Sequence, residues 1–220
     1  MAETPAYTYP YPRPMFTVDA VVFGIRNGRL EVLLIERRNS PYAGCLALPG
    51  GFVEEDEPLD AAVARELGEE TGIKGVALEP FHTFGDPGRD PRGWSISAAH
   101  LALIDAEGVA PQPHDDAERV VWSPAGEVGR LAFDHNEIVT KAIEMLRYLA
   151  MCSGAGRRIL PEIFTAEEVS SLYSAIFGKR LESETLCRQL MGRGVLTVTE
   201  PCGTPGAPRY RFAGSGGPCI

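Results

Sequence analysis

The chain has 220 residues, 44% hydrophobic and 23% charged, with a formal net charge of −9. That length allows one large domain or two small ones with a packed core, and no apolar run reaches the ~18 residues of a membrane span. Five scattered cysteines without a C-x-x-C pair argue against a disulfide framework and a structural zinc site, and the N-terminus lacks a basic-then-apolar signal pattern, so a reduced, cytoplasmic chain is expected. The charge is uneven. Residues 151–220 carry eight Lys/Arg against six Asp/Glu, leaving thirteen against twenty-four in residues 1–150. So acidic a first part would meet a polyanionic substrate only through metal ions.

Residues 1–14 are rich in Pro and Tyr and read as an extended arm. Met15 to Gly24 and Arg29 to Arg37 read as two strands joined at Asn27-Gly28. Pro41 to Gly44 reads as a turn, and Cys45 to Leu48 as an apolar lead into Pro49-Gly50-Gly51.

Residues 51–73, GFVEEDEPLDAAVARELGEETGI, come next. Pro58 suits the first helical position and Gly72 the stop. Leu59, Ala62, Val63 and Leu67 recur at helical spacing and would face a core. Gly68 inside the helix costs about 1 kcal/mol against Ala, which points to close packing or substrate approach there. Glu66, Glu69 and Glu70 stand at i, i+3 and i+4, on one face within a turn. Like charges so placed repel, and hard oxygen ligands in such a cluster suit Mg²⁺ or Mn²⁺.

Beyond the helix, Val76 to Thr83, Ile96 to Asp105 and Ala117 to Trp122 read as strands. FGDPGRDPRGW, residues 84–94, reads as an exposed loop. His100, in an apolar strand, reads as a satisfied core histidine. Asp134 to Ala150 reads as an amphipathic helix with Asp134 as N-cap. Cys152 to Arg158 reads as a linker. Thr165 to Phe177 begins with a capping box, Thr165 and Glu168, and Gly178 ends it. Glu182 to Met191 reads as a second helix, and Val195 to Thr199 and Pro208 to Phe212 as strands around the turn Cys202 to Gly206. Helix, turn, helix, β-ribbon is the plan of a winged helix. The domain reading is residues 1–150, a linker 151–158, and a winged-helix-like unit 159–220.

The spacing Gly51, Glu57, Arg65-Glu66-Leu67, Glu69-Glu70, Gly72-Ile73 resembles a complete Nudix box, the signature of hydrolases acting on nucleoside diphosphates linked to another group. The loop Gly85 to Gly93 and the stretch Leu131 to His135, LAFDH, are similar to those of the ADP-ribose pyrophosphatase-like branch and of the Nudix-related transcriptional regulators of NAD metabolism. The resemblance implies an α/β/α sandwich with a mixed sheet, followed by a small winged-helix-like α+β domain.

For the chemistry it implies metal binding by Glu66, Glu69, Glu70 and the Gly50 carbonyl, with Arg65 orienting the glutamates and Glu57 bracing the helix start. These five, Glu57, Arg65, Glu66, Glu69 and Glu70, are the candidate catalytic residues. The resemblance leaves the general base open between Glu66 and a carboxylate on a later loop, such as Asp115, Asp116 or Glu118. Arg89 and Arg92, with Asp90 between them, are the candidate substrate-binding residues. The function so implied is Mg²⁺- or Mn²⁺-dependent hydrolysis of the pyrophosphate of ADP-ribose or a related nucleoside diphosphate derivative, giving AMP and a sugar phosphate, by a cytoplasmic homodimer. The alternative is a transcriptional regulator whose Nudix domain senses an ADP-ribose-like ligand and whose winged helix binds DNA. Against it stands the second helix of the tail. The regulators' basic positions are Ser183, Glu184, Thr185, Leu186 and Cys187 here, and only Arg188 keeps its charge. Phosphate contacts dominate DNA affinity, and an intact box tips the reading towards an enzyme.

Overall fold

The structure is a computed structural model, and it describes residues 9–107, 109–113, 117–199 and 207–214. The first eight residues of the predicted arm, Asp115, Asp116 and the predicted turn Cys202 to Gly206 lie outside the described residues.

The strands follow the apolar runs. β1 (Met15–Arg26) and β2 (Arg29–Arg37) form the predicted hairpin, with Asn27 at φ 49° and Gly28 at φ 70°, as a tight primed turn requires. Two short strands, β3 (Leu46–Ala47) and β4 (Gly50–Phe52), flank the turn Leu48-Pro49. β5 (Glu79–Phe84), β6 (Ser95–Asp105) and β7 (Ala117–Pro124) complete a mixed sheet of order β3-β2-β1-β6-β5, with β4 paired to β1 and β7 to β2. β1 and β6 run parallel, whereas β2 and β4 run antiparallel to β1.

Strand side chains alternate between faces, and β1 divides the core accordingly. Val18, Ala20 and Val22 pack with Ala62, Val63 and Leu67 of α1 (Leu59–Thr71). Val21 and Phe23 pack on the opposite face with Ile138, Val139, Ala142 and Leu146 of α2 (His135–Ser153). Helices on both faces of a mixed sheet make the expected α/β/α sandwich. Leu59 departs from expectation: it is 38% exposed in the first turn, before the helix reaches the sheet. Pro58 occupies the N-cap position, one residue earlier than predicted, and Gly72 closes the helix at φ 73°. Gly68 is not crowded: a Cβ there would meet nothing nearer than Lys74 Cε at 3.5 Å.

α2 continues to Ser153, so Cys152 belongs to the helix rather than to a linker. Its core is continuous with that of α3 (Ala166–Phe177), α4 (Ser183–Gly192) and the ribbon β8 (Leu196–Thr199) and β9 (Arg209–Phe212). The Thr165–Glu168 capping box is present in both directions. Arg147 of α2 donates to the carbonyls of Ile176 and Phe177, the last residues of α3. Among the described residues no helix is long and apolar enough to cross a membrane.

Candidate active site

α1 and the Pro49-Gly50-Gly51 corner meet at one end of the sheet. There a cleft of about 420 Å³ opens, lined on one side by Gly50, Gly51, Arg65, Glu66, Glu69 and Glu70. Arg65, Glu66, Glu69 and Glu70 come from α1, and Gly50 and Gly51 from the strand β4 beside it.

Arg65 is the hub of the acidic side. Its Nε and Nη2 donate to the two Glu57 oxygens at 2.8 and 2.9 Å. Nη1 donates to Glu66 Oε1 at 2.9 Å and Glu69 Oε2 at 3.0 Å, and Nη2 also to the Phe52 carbonyl at 3.1 Å. A guanidinium has five N–H donors in a fixed fork, and these five bonds account for all of them. Arg65 therefore orients glutamates instead of reaching for a ligand. Its bond to Glu57 holds the Glu57 carboxyl below the usual range and raises its own pKa further. Glu66 goes the other way: burial pushes its carboxyl up, and the Arg65 bond only partly offsets this. Glu70 is 5% exposed, and its Oε2 accepts from the Gly50 N–H at 2.9 Å.

Two glycines make room here. At Gly50 a Cβ would run into the Val18 carbonyl, and at Gly51 into the Glu66 carboxylate. The donor set is hard oxygen, and one arginine faces Glu57, Glu66 and Glu69, so an oxygen-loving divalent cation fits its chemistry. Among the described residues no three His, Cys, Asp or Glu groups already converge on a point. Arg65 bridges Glu66 and Glu69 while the Gly50 amide holds Glu70, so a cation would compete with Arg65 for those oxygens.

The opposite side is cationic. Arg92 lies over the Phe52 ring at 5.0 Å and the Phe133 ring at 5.4 Å, and Arg37 lies over Phe133 at 4.9 Å. Asp90 is 4% exposed and pairs with Arg92 at 2.7 Å. Burial raises its pKa, but the Arg92 bonds outweigh this and its carboxyl lies below the usual range. Asp90 thus orients Arg92 and does not itself face the cleft as a free group. Arg89 lines the cleft, but its side chain is only 5% exposed and its fork grips both oxygens of Asp134 at 2.8 Å. A third donor reaches Ser95 Oγ at 3.3 Å. Arg89 thus braces the loop against the start of α2, while the Arg92 side chain is the more exposed of the predicted arginine pair, at 36%. The Asp134 carboxylate, engaged with Arg89, makes no cap bond although Asp134 stands at the N-cap position. The loop 84–94 is accordingly not wholly exposed.

Among the cleft residues that sequence reasoning missed are Asp19, Arg37, Phe133 and His135. Phe133 and His135 carry a hint, since both belong to the LAFDH stretch, and Phe133 adds a structural one. It sits at φ 51°, a left-handed conformation uncommon for a bulky side chain, within the LAFDH stretch already singled out. Of the described base candidates, Glu66 lines the cleft, whereas Glu118 is exposed on β7. His100 is buried as expected: Nδ1 lies 3.1 Å from the Ala98 carbonyl, and Nε2, which has no hydrogen bond among the described residues, faces Asp60 Oδ1 at 3.6 Å.

The chain is similar to known proteins at both the sequence and the structural level. The NUDIX domain model matches residues 15–145. The ADPR responsive transcriptional repressor NtrR of Acinetobacter baylyi is 35% identical over 209 residues, 92% of this chain and 84% of that one, and the ADP-ribose pyrophosphatase of Methanocaldococcus jannaschii is 39% identical over 129 residues, 59% and 73%. The crystal structure of Shewanella oneidensis NrtR complexed with a 27mer DNA superposes with a TM-score of 0.68 at 31% identity, covering 90% of this chain and 92% of that one.

Proposed function

The chain belongs to the Nudix family, and from that premise we propose that it hydrolyses the pyrophosphate of ADP-ribose or a related nucleoside diphosphate derivative to AMP and a sugar phosphate. The observation that carries this reading is the complete set Glu66, Glu69, Glu70, Arg65 and Gly50 on one wall of one cleft. A relative of 39% identity that bears the name ADP-ribose pyrophosphatase supports the substrate class.

In this reading Glu66, Glu69, Glu70 and the Gly50 carbonyl hold Mg²⁺ or Mn²⁺. A divalent cation, when bound, neutralises phosphate charge and lowers the pKa of a water. Arg65 keeps Glu66 and Glu69 aimed into the cleft. Arg92, held by Asp90 and between Phe52 and Phe133, faces the substrate's remaining phosphate charge, and Arg37 shares that wall. Glu66 is the base among the described candidates, since burial has already made its carboxyl a better proton acceptor. Incubating the purified chain with Mg²⁺ and a panel of ADP-sugars and dinucleotides tests the reading. AMP release from ADP-ribose is expected, and release from none of the panel overturns it. A homodimer belongs to the reading and is checked by light scattering of the eluting protein.

One observation favours a second reading. Similarity to a repressor spans 92% of the chain, not the Nudix part alone. On that reading residues 159–220 form a winged helix that binds DNA. The charge of α4 opposes it: Glu182 accepts from the N–H groups of Glu184 and Thr185 at 3.0 and 2.7 Å. A carboxylate thereby occupies the helix N-terminus where a phosphate would dock. A salt-sensitive, sequence-selective gel shift with DNA upstream of its own operon would reverse the order of the two readings.

A further inference from the structure

The corner Leu48-Pro49-Gly50 is pinned at three points. Ala20 N–H donates to the Pro49 carbonyl at 2.8 Å from the neighbouring strand β1, and Gly50 N–H donates to Glu70 at 2.9 Å on α1. The third point comes from far along the chain. Leu48 N–H donates to His135 Nδ1 at 2.9 Å, across 87 positions. Pro49 has no N–H, so the Leu48 amide is the donor by which α2 can hold this side of the corner.

His135 is 5% exposed, and its hydrogen bonds define its tautomer. An amide can only donate, so Nδ1 must offer its lone pair, and the proton of the neutral ring lies on Nε2. Nε2 faces Asp19 Oδ1 at 3.5 Å. Asp19 is 6% exposed, accepts from Ser97 Oγ, and lies 3.7 Å from Arg89 Nη2. A Cβ on Gly50 would stand 3.0 Å from that same Asp19 Oδ1, so Asp19 closes on the corner from behind. His135 and Asp19 both lie outside residues 51–73.

We propose that His135, backed by Asp19, is a positioning residue for the Gly50–Glu70 pair. It sets where the Gly50 carbonyl and, through the Gly50 N–H, the Glu70 carboxylate stand. The proposal rests on the reading that these oxygens hold a divalent cation. Without the imidazole acceptor, the buried Leu48 N–H has lost its partner, and an unpaired buried donor drives rearrangement. The corner then shifts, and Gly50 and Glu70 move with it.

The test is Mn²⁺ titration of the full chain, with free Mn²⁺ read by electron paramagnetic resonance, alongside AMP release. His135→Leu removes the acceptor. It should weaken Mn²⁺ binding by about 10- to 100-fold, as loss of an outer-shell partner does, and lower kcat with little change in the KM for ADP-ribose. His135→Asn places an amide oxygen near the Nδ1 position and should restore most of the Mn²⁺ affinity. If His135→Leu does not fold, His135→Gln takes its place, because its oxygen lies one carbon further out and misplaces the acceptor. Leu or Gln variants that melt earlier yet bind Mn²⁺ as the wild type does overturn the proposal and leave the hydrolase reading standing. A wild type that binds Mn²⁺ but releases no AMP overturns the hydrolase reading alone, since the Mn²⁺ arm still decides the role of His135. A wild type that does not bind Mn²⁺ overturns both.

Discussion

Replacing Gly51 with alanine puts a methyl group where the Glu66 carboxylate lies. The added Cβ would stand 2.5 Å from Glu66 Cδ and 2.6 Å from Oε2, whereas ordinary contact begins at 3.4 Å. Glu66 must therefore move by about 1 Å. Its other restraint, the Arg65 Nη1 bond of 2.9 Å, is shared with Glu69, so the displacement spreads through the acidic wall. A misplacement of about 1 Å in a catalytic array costs on the order of 100-fold in rate. Stability should move little: Gly51 needs no left-handed conformation, and Gly→Ala at a compatible position tends to stabilise by about 0.4–1 kcal/mol through the unfolded chain. Gly51→Ala should thus keep its melting temperature within a few degrees while kcat/KM for AMP release from ADP-ribose falls about 100-fold. A variant as active as the wild type would refute the reasoning that Glu66 acts from the position observed.

Three other outcomes follow from the same geometry. Arg89→Gln leaves the buried Asp19 and the half-buried Asp134 carboxylates without their cation and should destabilise by about 3 kcal/mol in urea unfolding, since breaking one side of a largely buried pair strands the other charge. Gly68→Ala should stabilise by up to about 1 kcal/mol, because the site is open and helical; a loss of stability would show that the helix needs the gap. Burial lowers the His135 pKa from 6.5, so the folded chain keeps the ring neutral while the unfolded chain protonates it. The stability this gives is complete above pH 6.5 and declines as pH falls below it, at up to about 1.4 kcal/mol per unit. Urea midpoints of wild type and His135→Asn should diverge in that direction, and parallel curves would contradict it.

What could be read in the chain was what local spacing encodes. Glu66, Glu69 and Glu70 share a face because i, i+3 and i+4 do so on any helix, and the helix formed where Pro58 and Gly72 bound it. The Asn27-Gly28 hairpin and the Thr165–Glu168 box were legible for the same reason. What could not be read depends on residues brought together from distant elements. Asp134 looked like a cap, yet its partner is Arg89, 45 positions earlier. That pairing ties the loop to the start of α2, which no local rule contains. Asp19 is a single polar residue in an apolar strand and His135 the last residue of the LAFDH stretch, and their contacts appear only when β1, α2 and the Leu48–Gly50 corner meet. Arg37 ends an apolar strand and reads as its polar terminus, until Phe133 arrives beneath it.

The central claim is that the carboxylate cluster serves pyrophosphate hydrolysis, and Glu70→Gln tests it most directly. The amide oxygen of glutamine can still accept the Gly50 N–H that Glu70 Oε2 now takes at 2.9 Å, so the substitution removes the charge and keeps that bond. With Mg²⁺, the wild type should release AMP from ADP-ribose, and Glu70→Gln should release at least about 100-fold less with an unchanged melting temperature. A folded Glu70→Gln that hydrolyses ADP-ribose as the wild type does would contradict the account.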